Sequence, residues 1–494
     1  MTGPATDILA AVLDACERTP GAPAMTLGRR TLTFGAVRER VNGIAGGLVD
    51  RGMAPGDRVL FSVRPGLDGI CLALGIIAAG GTVVFADPGA GEAMFRARAG
   101  LAKPKWVAAE SVLYAASSGP LRRIARSRGL ELPDYGSVVP DARHLYAGPW
   151  LPGVPRGAVP LRELSRSSSA PARIETSEAL IIFTSGTTSH PKAVVHSRTS
   201  LGTGLGDFAA HVGFVPGERV LTDQLMVGIP ALISGAHWIL PPPGLDPGAS
   251  PAKYLDLLPD ADVLFAVPAS LDALLRMLDR QPAKTPALRV LLVGGAPVLR
   301  PLLERTRQRL GNTAIKAIYG MTEILPVAIA DGDAKLAFTG TGDYVGELMS
   351  AITATIVDGE LVLAGEGLAS YLGEAPFDRL PTGDLARVEG DRLVLSGRAK
   401  DMFIRGTTNV YPGLYEPVIA GIPGVQEAAL VGVPNVIGDD ELVLVIVGDA
   451  SRVESALPGL IDAAVMPDRI VVRGSLPKKG RSQKLDRAAL AASL

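Results

Sequence analysis

The chain has 494 residues, room for roughly two to four domains and for a large core that needs no disulfide or metal staple. Its 49 Lys and Arg balance 50 Asp and Glu to a net charge of −1, so nucleic-acid binding by bulk charge is excluded and no nucleic-acid partner is expected. Apolar residues make up 47 %, too many for a disordered chain, and the two cysteines, Cys16 and Cys71, cannot build a disulfide framework or a thiolate metal site.

Taken in chain order, the first element is a helix. Ile8, Leu9, Val12, Leu13 and Cys16 fall on one helical face, and no basic region precedes them. That pattern is not a signal peptide, so the expected compartment is the cytoplasm. Both cysteines lie in apolar helical patterns and read as buried thiols. Gly69 to Ala86 carries no charge, but Gly80-Gly81 splits it into a buried helix and a β-branched strand. Gln224 to Leu245 is broken by Pro230 and by Pro241-Pro242-Pro243. Neither run suits a membrane span, so no integral membrane segment is expected.

Val59 to Val63, Thr82 to Ala86 and Trp106 to Ala108 read as short buried strands between helices. This alternation is the mark of a parallel, helix-covered sheet, hence an α/β fold. Residues 148–176 are rich in Pro and Ser and read as a surface connector. Ala179 to Phe183, Val263 to Val267 and Val290 to Val293 continue the strand rhythm. From about residue 399 the pattern changes. Met402 to Arg405, Glu427 to Val433, Glu441 to Gly448 and Arg469 to Arg473 read as strands, with helical patterns near 413–421 and 452–464. The expected organisation is a large N-terminal domain, 1–397, and a small α+β C-terminal domain, 398–494.

The most informative segment runs from Ala179 to Val194. A hydrophobic strand enters a loop of Thr184, Ser185, Gly186, Thr187, Thr188 and Ser189, and Lys192 follows. Small hydroxyl residues offer N–H and O–H donors to a polyphosphate, and the lysine adds a point charge. It is not a Walker A loop, because Pro191 and Ala193 stand where that motif has Gly and Ser or Thr. The five histidines show no HExxH or HxxxH spacing.

TSGTTSHPKAV resembles the phosphate loop of the adenylate-forming superfamily, with Ser189 and Ala193 in place of two usual glycines. Further segments match that family in order. Gly294-Gly295-Ala296-Pro297 resembles the turn that lies against adenine. Tyr319-Gly320-Met321-Thr322-Glu323 resembles the motif in which the ring stacks on adenine, the threonine approaches the α-phosphate and the glutamate helps hold Mg²⁺. Thr382-Gly383-Asp384 resembles the ribose-binding carboxylate motif. Gly397-Arg398-Ala399-Lys400-Asp401 resembles the inter-domain hinge, with Lys400 at the pivot and Arg398 in reach of ribose or phosphate. Leu476 to Arg487 resembles the tail that carries the catalytic lysine, here Lys484, with Gln483 where glycine is usual.

The resemblance implies a mobile C-terminal domain and an AMP-forming ligase using ATP and Mg²⁺. A small-molecule carboxylic acid would become an acyl adenylate with release of pyrophosphate, and coenzyme A would take the acyl group. Lys484, Thr322 and Glu323 would be catalytic. The segment Leu225 to Pro230 is apolar, so Val227, Gly228, Ile229 and Gly294 are candidates for the acyl pocket. No carrier-protein motif follows, so a stand-alone enzyme is expected. Asp87-Pro88-Gly89 and Glu323 to Ala328 also resemble β-lactone synthetases of olefin pathways, in which the acid's own hydroxyl attacks. Activation of another oxyacid for a small nucleophile, including diazo formation, stays open too. So does a non-catalytic adenylate or acyl binder, although such a binder has little need of Lys484.

Overall fold

The computed structural model describes residues 7–118, 121–123, 127, 132–165, 167, 178–184, 192–398, 401, 403–405, 408–434, 440–461, 465–479 and 483–494. It divides into two compact units. One comprises Met1–Gly244, Met321–Leu325 and Glu366–Asp378; the other comprises Leu245–Gly320, Pro326–Gly365 and Arg379–Leu494.

The first unit is built on an eight-stranded sheet. Six strands run parallel in the order Glu178–Thr184, Thr82–Phe85, Arg58–Ser62, Trp106–Glu110, Arg143–Ala147 and Val159–Pro160. Lys192–Ser197 and Ser370–Tyr371 extend it antiparallel. The uninterrupted apolar strands follow from burial on both faces. Val59, Phe61, Val83 and Ala108 enter one core, while Leu60, Val84, Val107 and Ala109 enter the other. Helices Phe34–Asp50 and Leu67–Ala78 cover the first face. They approach so closely that a Cβ on Gly75 would lie 2.5 Å from Ile44 Cγ2. On the second face Phe95, Tyr135 and Tyr114 pack edge to face.

The 69–86 run is the expected helix, turn and strand, Leu67–Ala78 followed by Thr82–Phe85. Among the described residues no helix is long and apolar enough to cross a membrane. Both cysteines are buried, and desolvation pushes Cys16 up to about 11 and Cys71 up to about 12. The stretch read as a connector holds more structure than its prolines suggest. Val159–Pro160 adds an edge strand and Leu161–Leu164 a helical turn. A second set of paired strands in this unit places His237–Leu240 between Arg219–Leu221 and Pro23–Leu27, all parallel, with Arg30–Thr33 antiparallel at the edge.

In the second unit Val263–Ala266, Val290–Gly294 and Ala314–Met321 pair in parallel. An antiparallel set, Asp343–Leu348, Arg392–Arg398, Leu380–Glu389, Glu360–Gly365 and Ile352–Val357, follows in that spatial order. In the tail, Val425–Pro434 and Asp440–Gly448 pair antiparallel, and Arg469–Val472 joins in parallel. Their alternation divides the side chains between two cores. Leu430, Leu444 and Ile446 meet Val410 and Ile419 on one face. Ala429, Val443 and Val445 meet Leu476 and Leu490 on the other. The helix expected near 452–464 is shorter. It spans Ala450–Ala456 and yields to a 3₁₀ turn at Leu457–Gly459, because Pro458 cannot donate into a continuing helix.

Candidate functional site

In the first unit the strand Glu178–Thr184 delivers Thr184, and Thr184 pairs with Lys192 across the antiparallel neighbour. Ser185, Gly186, Thr187, Thr188 and Ser189 lie outside the described residues, as does Lys400. Lys192, Val194 and His196 share a face of their strand, by its two-residue period. Tyr371 pairs with Val194 in the adjacent strand, so Lys192 is its diagonal neighbour. The Lys192 ammonium lies 4.7 Å from the Tyr371 ring centroid.

The Tyr371 hydroxyl donates to Glu323 Oε1 at 3.1 Å, and the Ala369 N–H donates to the Glu323 carbonyl at 2.9 Å. Burial, then the Glu323 carboxylate, pushes the Tyr371 phenol up to about 12, so it stays a donor at neutral pH. His196 Nε2 lies 2.7 Å from the Thr322 carbonyl oxygen. A carbonyl only accepts, so Nε2 carries the proton. Burial holds the imidazole below its usual range, hence neutral.

Glu323 is itself buried, at 7 % exposure, with Oε1 taken by Tyr371. Among the described residues no cluster of three His, Cys, Asp or Glu side chains could hold a metal alone. One carboxylate with an oxygen to spare fits Mg²⁺, which is usually held by one or two carboxylates and by substrate phosphates.

In the second unit Gly294 pairs with Ile318, and a Cβ on Gly294 would lie 3.1 Å from the Ile318 carbonyl oxygen. Gly295 turns the chain with φ +84°, leaving Gly295 and Pro297 exposed and Ala296 half-buried at the end of the strand. Tyr319 lies on the neighbouring strand, with Gly320 and Met321 at its end. Its hydroxyl donates to Asp384 Oδ2 at 2.5 Å, while Arg398 Nε reaches Asp384 Oδ1 at 2.7 Å. Asp384 and Arg398 are cross-strand partners, which fixes the ion pair. Thr382 Oγ1 accepts from the Asp384 N–H and donates to the Leu361 carbonyl. Burial and the Asp384 charge push the Tyr319 phenol well above its usual range.

Lys484 is exposed and pairs with Lys479 in a two-residue ladder. Gln483 before it takes φ +51°, the left-handed conformation that glycine favours. Three residues on, Arg487 binds both oxygens of Glu416, at 2.7 and 2.6 Å, and lies 3.5 Å from Asp401.

Val227, Gly228 and Ile229 form part of the helix Leu225–Ile233 and are buried. Gly228 lies flat on Trp238, where a Cβ would come within 2.1 Å of the ring. The half-exposed side chains of this helix's first turn are Leu225 and Met226.

The family described as AMP-binding enzyme matches residues 12–371, nearly three-quarters of the chain. The chain belongs to the AMP-binding enzyme family. It is thus an enzyme of a family that uses ATP, and its named relatives include acyl-CoA ligases. It is 25 % identical over 461 residues to the long-chain-fatty-acid–CoA ligase FadD13 of Mycobacterium tuberculosis, covering 85 % of this chain and 84 % of that one. It is 27 % identical over 468 residues to a feruloyl-CoA synthase of Amycolatopsis, covering 88 % of each. Among solved structures, the amide bond synthetase McbA from Marinactinospora thermotolerans shares the fold with a TM-score of 0.81 at 21 % identity, over 99 % of each chain.

Two residues beside the candidate site, Tyr371 and His196, were not singled out in the sequence. His196 had a signal, since it follows Lys192 by four residues on a strand and so shares its face. Tyr371 had none, being 48 residues from Glu323 and reaching it through tertiary contacts of the segment Ala369–Tyr371.

Proposed function

We propose that the protein joins a carboxylic acid to ATP, giving an acyl adenylate and pyrophosphate, and then passes the acyl group to coenzyme A. The Tyr319–Asp384–Arg398 cluster carries this reading. A buried carboxylate, held from both sides and placed beside a family adenine motif, suits the two hydroxyls of a ribose. Two curated relatives that cover most of the chain are named as coenzyme A ligases or synthases, which supports that acceptor.

In this reading Tyr319 and the Gly295-Ala296-Pro297 turn bind the base, and Asp384 the ribose. Thr184, Thr322 and Lys192 meet the phosphates. Bound Mg²⁺ would screen the phosphate charge, and Glu323 is the side chain that would hold it. Lys484 places positive charge where the carboxylate and the α-phosphate meet, two anions that otherwise repel. Residues 398–494 form the mobile part and Lys400 its pivot. Leu225 and Met226 are the apolar side chains available to an acyl group from the Leu225–Ile233 helix.

The test is a panel of carboxylic acids with Mg²⁺ and ATP, with and without coenzyme A, read by mass detection. AMP, pyrophosphate and a thioester support the proposal. ADP and phosphate would overturn adenylation. AMP formation with no thioester would move the acceptor to an internal hydroxyl or another small nucleophile.

A further inference from the structure

Lys192 and Glu323 carry opposite charges and share one neighbour, Tyr371. Among the described residues no ion pair joins them. A direct contact would bring opposite charges together at a partly buried site, where their attraction is stronger than in water. Such a pair would neutralise the lysine needed by a phosphate and occupy the carboxylate needed by a cation. The Tyr371 ring faces the ammonium and its hydroxyl occupies one carboxylate oxygen.

We infer that Tyr371 is a positioning residue that keeps Lys192 and Glu323 apart, so that each charge stays open to a nucleotide–metal complex. This rests on the adenylate-forming reading given above. Three features hold the ring in place. Ser370 and Tyr371 pair with Val195 and Val194. Phe377 packs against the Tyr371 ring edge to face, with centroids 4.9 Å apart. The Ala369 N–H binds the Glu323 carbonyl, so one short segment grips both the backbone and the side chain of Glu323. Lys192 is fixed from the other edge of its strand, where it pairs with Thr184. The cation–π contact is worth less than a salt bridge to a phosphate, so it parks the lysine without trapping it.

The two halves of Tyr371 make separable predictions. Tyr371→Phe keeps the ring and loses the hydroxyl. Tyr371→Leu loses both. The experiment is calorimetric titration of the full chain with ATP, in EDTA and again in MgCl₂, with a thermal unfolding scan of each variant.

In wild type, Mg²⁺ tightens ATP binding. In Tyr371→Phe the affinity in EDTA should match wild type, while the tightening by Mg²⁺ should shrink by about tenfold, the scale of one hydrogen bond to a charged group. In Tyr371→Leu the affinity in EDTA should also fall by about fivefold, because Lys192 is free to close on Glu323. The double variant Tyr371→Leu with Glu323→Gln should recover the affinity in EDTA, since the competing carboxylate is gone. A purely structural role would lower the unfolding temperature and weaken both conditions equally in Tyr371→Phe, and that result would overturn the inference. So would unchanged titrations in both single variants. Wild type that binds no ATP under either condition would overturn the adenylate-forming reading itself, and this inference with it.

Discussion

The Tyr319 hydroxyl donates a hydrogen bond to Asp384 Oδ2 at 2.5 Å, across 65 residues of sequence. In the proposed reading Tyr319 is therefore more than a flat surface for a base. Its phenol and the Arg398 guanidinium approach opposite oxygens of one carboxylate, so the side chain cannot rotate freely. In that reading a carboxylate fixed in this way would meet a ribose without first being ordered, and ordering costs are part of any binding free energy.

Tyr319→Phe tests that relationship. The ring stays and the hydroxyl goes. ATP affinity should fall by about tenfold, the scale of a hydrogen bond to a charged acceptor. Adenine alone should bind as before, because no ribose is present to meet Asp384. Titration with ATP and with adenine checks both. An equal loss for the two ligands would place the effect on the base rather than on the carboxylate.

His196 makes stability depend on pH. Burial holds its folded proton affinity below the usual range, whereas the unfolded side chain titrates near about 6.5. Between those values the unfolded chain binds the extra proton. The stability from the buried neutral ring is therefore complete above about pH 6.5 and is lost as pH falls. In His196→Gln the side-chain amide can still donate to the Thr322 carbonyl but does not titrate. Urea unfolding at pH 7.5 and 5.5 should show a larger acid loss in wild type than in the variant. Parallel losses would mean that His196 is not held neutral.

Much of the fold was legible because its strands are locally decided. A run such as Val59-Leu60-Phe61 is apolar at every residue and belongs between two covered faces, which is where it sits. The hairpin Pro23–Leu27 with Arg30–Thr33 was not legible, since its strands are short and partly exposed and their pairing with His237–Leu240 spans over 200 residues. The site divides in the same way. Glu323, Asp384 and Lys484 sit in contiguous motifs. Tyr371 reaches its role only through a two-residue strand, which leaves no periodic trace. The buried packing of Val227 to Ile229 also escaped the sequence, because an apolar helix serves a core or a pocket with the same residues.

Arg487 ties the lysine-bearing tail to the helix Pro412–Ala420. Its guanidinium binds both oxygens of Glu416 and the Leu430 carbonyl. Arg487→Met would leave a largely buried carboxylate without its cation, at a cost of roughly 3 kcal/mol. Replacing Arg487 and Glu416 together by Met and Leu should recover much of that loss, because neither charge is then orphaned. Chemical denaturation of the single and double variants decides it. A double variant as unstable as the sum of its parts would mean that the two side chains act independently.

Lys484 bears most directly on the proposed chemistry. It sits on a two-strand hairpin at the surface, and Gln483 before it holds a left-handed backbone. That conformation costs a residue with a side chain about 1 kcal/mol, a strain that persists only where the surroundings enforce it. With an acid that supports pyrophosphate release, Lys484→Ala should slow adenylate formation by at least about a hundredfold, the scale of removing one preorganised charge-stabilising group. Transfer from a preformed adenylate to coenzyme A should be nearly unchanged, because the proposed rotation about Lys400 withdraws the lysine before that step. Gln483→Val, which burdens the left-handed residue with a branched side chain, should slow the first half-reaction alone in the same way, though by less. Single-turnover measurement of each half-reaction separates the outcomes. Equal slowing of both by Lys484→Ala would mean that the lysine supports the fold of the tail, and that the two steps share one arrangement of the chain.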